Sequence, residues 1–466
     1  MSAAFDTSLI QGNILRSYRM GFVRHLLLEV ADRRAAKRFL AVSVAGGDAE
    51  TPAITHDLDW GAVKPDLCFN IGITYEGLKV LGTPAASLAT FPTEFIEGMN
   101  ARALKLGDFG DSSPEKWPAP FDKPKSLHLI ASIYAQDEAH VERVQPQVEK
   151  SFNLLGVRKG QALGDHKVYF GYRDDISQPR FRGVKDDQTN NADEPVDELG
   201  TALLGHPTRL EGLMFRVPSP PELGLYGSFN AFRVLEQDVF TFERYLDKAA
   251  KELLGHPKVD VLLPPGTEAR IGKNMTRFEA LREVVAAQMC GRWRNGAPLA
   301  TSPDFPSTDP ALSLTNFEYD RASRCPAGSH IRRTNPRGGR IVQRVANYTR
   351  RLVRRGMSYG PTLDLSKPDE EERGLLGNFI GASIGAQFEA VMCDWLNLGL
   401  HDPTVTGSND PLIGANTRET SWFDLALSDG DTIRLREFPR FVRTRGGAYT
   451  FLPSMTAIEY LSKLPD

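Results

Sequence analysis

The chain has 466 residues, 41% of them hydrophobic and 25% charged, an ordinary balance for a globular protein with room for two or three domains. Its 56 basic and 59 acidic side chains leave a formal charge of −3, so no global field recruits nucleic acid or an anionic lipid surface. The four cysteines, Cys68, Cys290, Cys325 and Cys393, form no CxxC pair, which argues against a zinc site, an iron–sulfur cluster and a disulfide framework.

Met1–Arg19 lacks the apolar core of a secretory signal and a twin-arginine pair. No apolar run approaches the roughly 18–20 residues of a membrane span. A cytoplasmic protein with buried, reduced thiols is the expectation, with its oligomeric state open.

In chain order, Phe22–Val30 predicts a strand, and the Asp32–Leu40 pattern after it a helix. Leu67–Thr74 alternates like a strand and runs into a short helix over Tyr75–Leu81. Ser126–Tyr134 predicts a third strand, Asp137–Phe152 an amphipathic helix and Val168–Phe170 a closing strand. This order suits a split βαβ, ferredoxin-like sheet with helices on one face. Gly183–Leu199, with Lys185–Pro195 nearly free of apolar residues, reads as a loop or linker.

The second half repeats the rhythm. Ser228–Leu235 predicts a strand, Gln237–Leu254 and Met275–Arg292 predict helices, and a Gly-rich apolar stretch at Leu375–Ile384 precedes a helix over Gln387–Leu396. Phe441–Leu452 reads as a hairpin turning at Gly446-Gly447, and Thr456–Leu464 closes the chain as a helix. The expected fold class is α+β, with two ferredoxin-like domains over residues 1–199 and 200–466 and antiparallel sheets in both.

Three places carry chemistry-bearing residues. Cys-Pro-Ala-Gly-Ser-His330-Ile-Arg-Arg-Thr-Asn-Pro-Arg337 sets one imidazole, a common metal ligand, among cations. Arg350-Arg-Leu-Val-Arg354-Arg crowds four guanidiniums that favour a bound anion. Phe170-Gly-Tyr-Arg-Asp174-Asp-Ile-Ser-Gln-Pro179 holds a carboxylate pair after a strand. Taken singly, each also has a structural reading: a core histidine, a solvated basic helix face, and a turn-capping Asp.

Together these segments resemble the dye-decolorizing (DyP-type) haem peroxidases. The Asp174 segment is similar to that family's GxxDG segment, the His330 segment to its axial-histidine segment, and Arg354-Arg-Gly-Met-Ser-Tyr-Gly360 to its distal-arginine segment. Ile10–Arg16, Gly291–Leu299, Gln387-Phe-Glu389 with Trp395, and Arg445–Pro453 look like bacterial members, so the likeness covers nearly the whole chain.

The resemblance implies one haem b per chain, held mainly by the C-terminal domain. His330 would be its axial iron ligand, Arg337 would meet a propionate, and Asp174 and Arg354 would stand on the distal side. It implies reduction of hydrogen peroxide and oxidation of dyes, phenols or other one-electron donors through an oxyferryl intermediate. Asp174 would shuttle the proton and Arg354 would stabilise the developing charge. The alternative kept beside it is a haem carrier or sensor with little turnover.

Asp175 stands where the family has Gly, and a second carboxylate there would raise the pKa of Asp174. Gly377-Asn378 replaces apolar distal residues. The second-shell partner of His330 is expected to be a backbone carbonyl or Asp394. Trp395, Tyr359 and Tyr348 are candidates for relaying electrons, against a reading as core aromatics.

Overall fold

The computed structural model describes residues 6–56, 64–174, 176–184, 194–210, 212–309, 312, 315–319, 324–337 and 347–465. Its ten principal strands are β1 (Phe22–Glu29), β2 (Leu67–Ile73), β3 (Leu129–Ala135), β4 (Asn153–Gln161), β5 (Ser228–Gln237), β6 (Val353–Tyr359), β7 (Gly374–Gly381), β8 (Trp422–Ala426), β9 (Thr432–Arg436) and β10 (Val442–Leu452). Eight of them form a single antiparallel sheet in the order β4-β1-β3-β2-β10-β5-β7-β6.

Each half of that sheet has the same internal order. If β5, β6, β7 and β10 count as strands one to four of the second half, both halves run 4-1-3-2, the split βαβ arrangement. The halves join at β2 and β10 through one register pair, Phe451 with Ile73. The sheet curls until its halves face each other. The His25 ring on β1 lies 5.0 Å from the Phe232 ring on β5, and Gly160 on the β4 edge abuts Met357 on the β6 edge.

Polar caps set the helix starts. Asp32 accepts from the backbone of Arg34 and Ala35 ahead of helix Arg33–Val44, and Asp137 accepts from His140 ahead of Glu138–Glu149. Thr276 and Glu279 form a reciprocal capping box at Arg277–Cys290. Each cap is worth about 1 kcal/mol and satisfies amide donors that the helix leaves without partners. Phe39, Leu40, Val141 and Val144 then seal the first two of these helices, and Ile458 and Leu461 the C-terminal helix Met455–Ser462, onto the sheet in one core. A second core joins helices Val239–Leu254 and Arg277–Cys290 to the β8–β9 ribbon.

Two expectations fail. The closing strand of the first half is β4, not Val168–Phe170, which lies in a loop. β4 hides from pattern reading because its burial scarcely alternates. The expected hairpin at Phe441–Leu452 is one eleven-residue strand with a bulge between Thr444 and Gly446. Its glycines serve close packing instead of a turn: a Cβ on Gly446 would sit 2.2 Å from the Phe121 ring, and one on Gly447 2.3 Å from Met99 Sδ. Most of the expected linker, residues 185–193, lies outside the described residues; beyond it Val196–Asp197 pairs with Arg180–Phe181.

Candidate active site

A cavity of about 710 Å³ lies between one face of the second half-sheet and the His330 helix. Register explains that wall. Arg354, Gly356 and Ser358 of β6 oppose Phe379, Gly377 and Leu375 of β7, and Gly377 and Leu375 oppose Arg233 and Leu235 of β5. Directly opposed residues share a sheet face, so these side chains form one wall, and all of them line the cavity. Arg354 therefore projects from a strand, which excludes a basic helix face.

The four predicted site residues, Asp174, His330, Arg337 and Arg354, all line this cavity. His330 begins the short helix His330–Thr334. That helix packs tightly against the end of Arg277–Cys290, where Gly291 has φ 92° and a Cβ would lie 2.5 Å from Ile331. Only glycine serves both needs at that position. Arg333, fully buried, ties the helix down through Nε to the Gly328 carbonyl and Nη1 to the Trp395 and Ser408 carbonyls, at 2.9, 3.0 and 3.0 Å. Burial lowers its pKa to about 10.

Behind His330 stands a residue that sequence reasoning missed. Nδ1 of His330 lies 3.0 Å from Oδ2 of the fully buried Asp410, while Oδ1 accepts from the backbone of Leu412 and Ile413 at 2.9 Å each. Burial alone would raise the Asp410 pKa, but His330, Arg333 and the Ile413 amide hold it below the usual carboxylate range. An ionised Asp410 fixes the tautomer with the proton on Nδ1 and leaves Nε2 as the ring's lone-pair nitrogen. Nε2 has no hydrogen-bond partner among the described residues. The expected partner Asp394 instead holds Arg350 at 3.0 Å, which corrects that expectation. Nothing in the sequence around Gly407-Ser-Asn-Asp410-Pro marks this carboxylate.

Across the cavity, the Asp174 loop is pinned at both ends. The Arg173 amide donates to the Arg294 carbonyl at 2.9 Å, and the Asp174 amide to the His166 carbonyl at 2.7 Å. Farther on, Arg354 Nη2 donates to the Ser177 carbonyl at 2.6 Å, and its amide to Gln178 Oε1 at 3.1 Å. The same few residues thus deliver Asp174 and Arg354 to one wall. Asp175 lies outside the described residues. Asn378 accepts from Asn230 at 2.8 Å.

The arginine cluster disperses to separate partners and forms no shared anion site. Arg351 pairs with the buried Asp197 at 2.9 Å and with Glu194, and Arg355 Nε donates to the Asn13 carbonyl at 2.8 Å. Arg337, at φ 51°, differs. Its guanidinium lies 4.2 Å from the Phe317 ring centroid, and its buried Nε has no hydrogen-bond partner. Of the proposed electron relays, Trp395 and Tyr359 are buried, and Tyr348 lies under Arg209 at 4.0 Å.

No family model matches the chain. A dye-decolorizing peroxidase of Mycena epipterygia is 28% identical, the alignment covering 98% of this chain and 87% of the relative. The multifunctional dye peroxidase DyP2 of an Amycolatopsis species is 26% identical over 97% of this chain and 95% of its own length. The likeness therefore extends to fungal and bacterial proteins alike. Among solved structures, a dye-decolorizing peroxidase in complex with 2,6-dimethoxyphenol superposes with a TM-score of 0.79 at 26% identity, covering 98% of this chain and 100% of that one. From end to end, the chain is similar to the dye-decolorizing peroxidases and has their α+β fold.

Proposed function

We propose that the chain is a haem-dependent peroxidase that reduces hydrogen peroxide and oxidises dyes, phenols or other one-electron donors. The observation that carries this reading is the two-sided cavity. One wall offers an imidazole with an unpartnered Nε2 and a buried carboxylate behind it; the other offers a carboxylate and a guanidinium. Its volume, about 710 Å³, lies within the roughly 300–1,000 Å³ of cofactor pockets. The relatives named above support the same chemistry.

Haem b, one per chain, fits the residues present: a nitrogen donor for iron at His330 and an orphaned guanidinium at Arg337 for a carboxylate. When bound, it supplies the iron that binds peroxide and the electrons that reduce it. The remaining work belongs to side chains. His330 would hold the iron through Nε2, and Asp410, which accepts its Nδ1 proton, would strengthen the ligand. Asp174 takes a proton from the near oxygen of peroxide and returns it to the departing one. Arg354, aimed by the Ser177 carbonyl, donates to the charge that develops as the bond breaks.

The same proposal takes residues 1–199 and 200–466 as two domains, supported by the repeated strand order. It takes the setting as cytoplasmic, supported by four unpaired thiols, and the chain as a bacterial family member, supported by the motif likeness. The test is spectroscopic. Purified protein reconstituted with haem is expected to show a Soret band that His330→Ala abolishes, and to oxidise 2,6-dimethoxyphenol only with peroxide. A protein indifferent to haem refutes the reading; a haem protein inert to peroxide is a carrier.

A further inference from the structure

At one end of the cavity two guanidiniums, Arg292 buried and Arg337 partly buried, have no counter-charge among the described residues. Arg292 is only 8% exposed, and its Nη1 donates to the Gly296 carbonyl at 2.8 Å. Arg337 has a buried Nε with no partner. Among the described residues no carboxylate forms an ion pair with either. Both guanidiniums face the Phe317 ring, Arg337 at 4.2 Å and Arg292 at 5.7 Å. Phe317 in turn meets Tyr319 edge-on at 5.5 Å, and Arg332 lies 4.9 Å from the Tyr319 ring.

Tyr319 adds a second signal. Its ring lines the cavity and is 7% exposed, yet its hydroxyl is buried with no hydrogen-bond partner. Burial pushes its pKa above the ordinary value, so the hydroxyl stays a protonated donor. A buried donor, a buried cation without an ion pair and a buried guanidinium Nε without a partner are each costly, and folds keep such groups where a ligand completes them.

We propose that Arg292, Tyr319 and Arg337 form a carboxylate-binding subsite, and that it receives a carboxylate of the macrocycle itself. The Tyr319 hydroxyl and Arg337 Nε donate to the two carboxylate oxygens, and Arg292 supplies the second positive charge. This assignment rests on the haem reading above and adds Tyr319 and Arg292 to the single arginine expected from sequence. Phe317 holds the two guanidiniums apart as a stacking surface, which fixes their orientation before the ligand arrives.

The experiment compares two ligands on the apoprotein: protohaem, and its dimethyl ester, which lacks free carboxylates. Soret titrations are expected to show wild type binding protohaem at least tenfold more tightly than the ester. Tyr319→Phe, Arg337→Leu and Arg292→Met should each weaken protohaem binding by roughly tenfold while leaving ester affinity unchanged, so that ester binding certifies the fold. Equal affinity of wild type for both ligands overturns the subsite. So does a variant that loses both ligands alike while its far-UV dichroism is intact, because the residue then supports the macrocycle and not a carboxylate. If neither ligand yields a Soret band, the haem reading itself has failed.

Discussion

Asp410 has the most consequence of any residue whose role appears only after folding. It lies eighty positions from His330. Its neighbours read as a polar turn, and Asp394, nearer the Gln387-Phe-Glu389 segment, is the carboxylate the sequence offers instead. Full burial and three accepted hydrogen bonds distinguish it, and neither is written in local sequence. By contrast the meeting of His330, Arg337, Asp174 and Arg354 at one cavity was legible, because each sits in a run of specific neighbours. Asp410→Asn keeps the shape but removes the negative charge behind the imidazole. Haem affinity is expected to fall about 10–100-fold, and the iron reduction potential to rise, because a less basic ligand stabilises the ferric state less. Unchanged Soret titration and potentiometry would remove Asp410 from the site. Arg354→Leu should behave oppositely: haem binding is retained, while the rate with peroxide falls on the order of 10²–10³-fold in stopped-flow mixing.

Among the elements, those with a strong helical period or a capping residue were readable, and those shaped by contacts across the molecule were not. Helices Val239–Leu254 and Arg277–Cys290 fall within two residues of their expected bounds, and Arg33–Val44 starts within one of its own, because Asp238, Thr276 and Asp32 start them. β10 was misread because Gly446-Gly447 is ordinarily a turn signal, and the rings that demand glycine there come from far away in sequence. The structure makes the difference testable. Gly446→Val would drive a side chain into Phe121 from a backbone that a hairpin turn would have left in solvent. The urea midpoint of the apoprotein is expected to fall by an equivalent of about 1–3 kcal/mol. A neutral substitution would restore the hairpin reading. Gly291→Ala tests the neighbouring principle at the site: it adds strain at φ 92° and pushes on Ile331, so haem affinity and stability should fall together.

At the scale of the whole molecule, curling one sheet upon itself buries ionisable groups that must stay neutral. His25 on β1 is enclosed between the half-sheets, with Nδ1 2.8 Å from Ser132 Oγ, and burial lowers its pKa to about 3. His401, which meets the Ala327 carbonyl beside the His330 segment at 2.8 Å, is lowered to about 4 by burial and by Arg333. An unfolded chain protonates both near pH 6.5. Between that value and the folded pKa values the unfolded state binds more protons, so stability rises with pH through this window and levels off above about pH 7. At pH 5 each histidine costs on the order of 2 kcal/mol relative to neutral pH. Asp410 does not contribute there, since its pKa is held below the usual carboxylate range. The apoprotein Tm should therefore drop steadily from pH 7 to pH 5. His25→Gln should flatten part of that slope, because a neutral amide takes up no proton in either state. A Tm independent of pH across this window would mean that His25 is solvated, and that the half-sheets do not close around it.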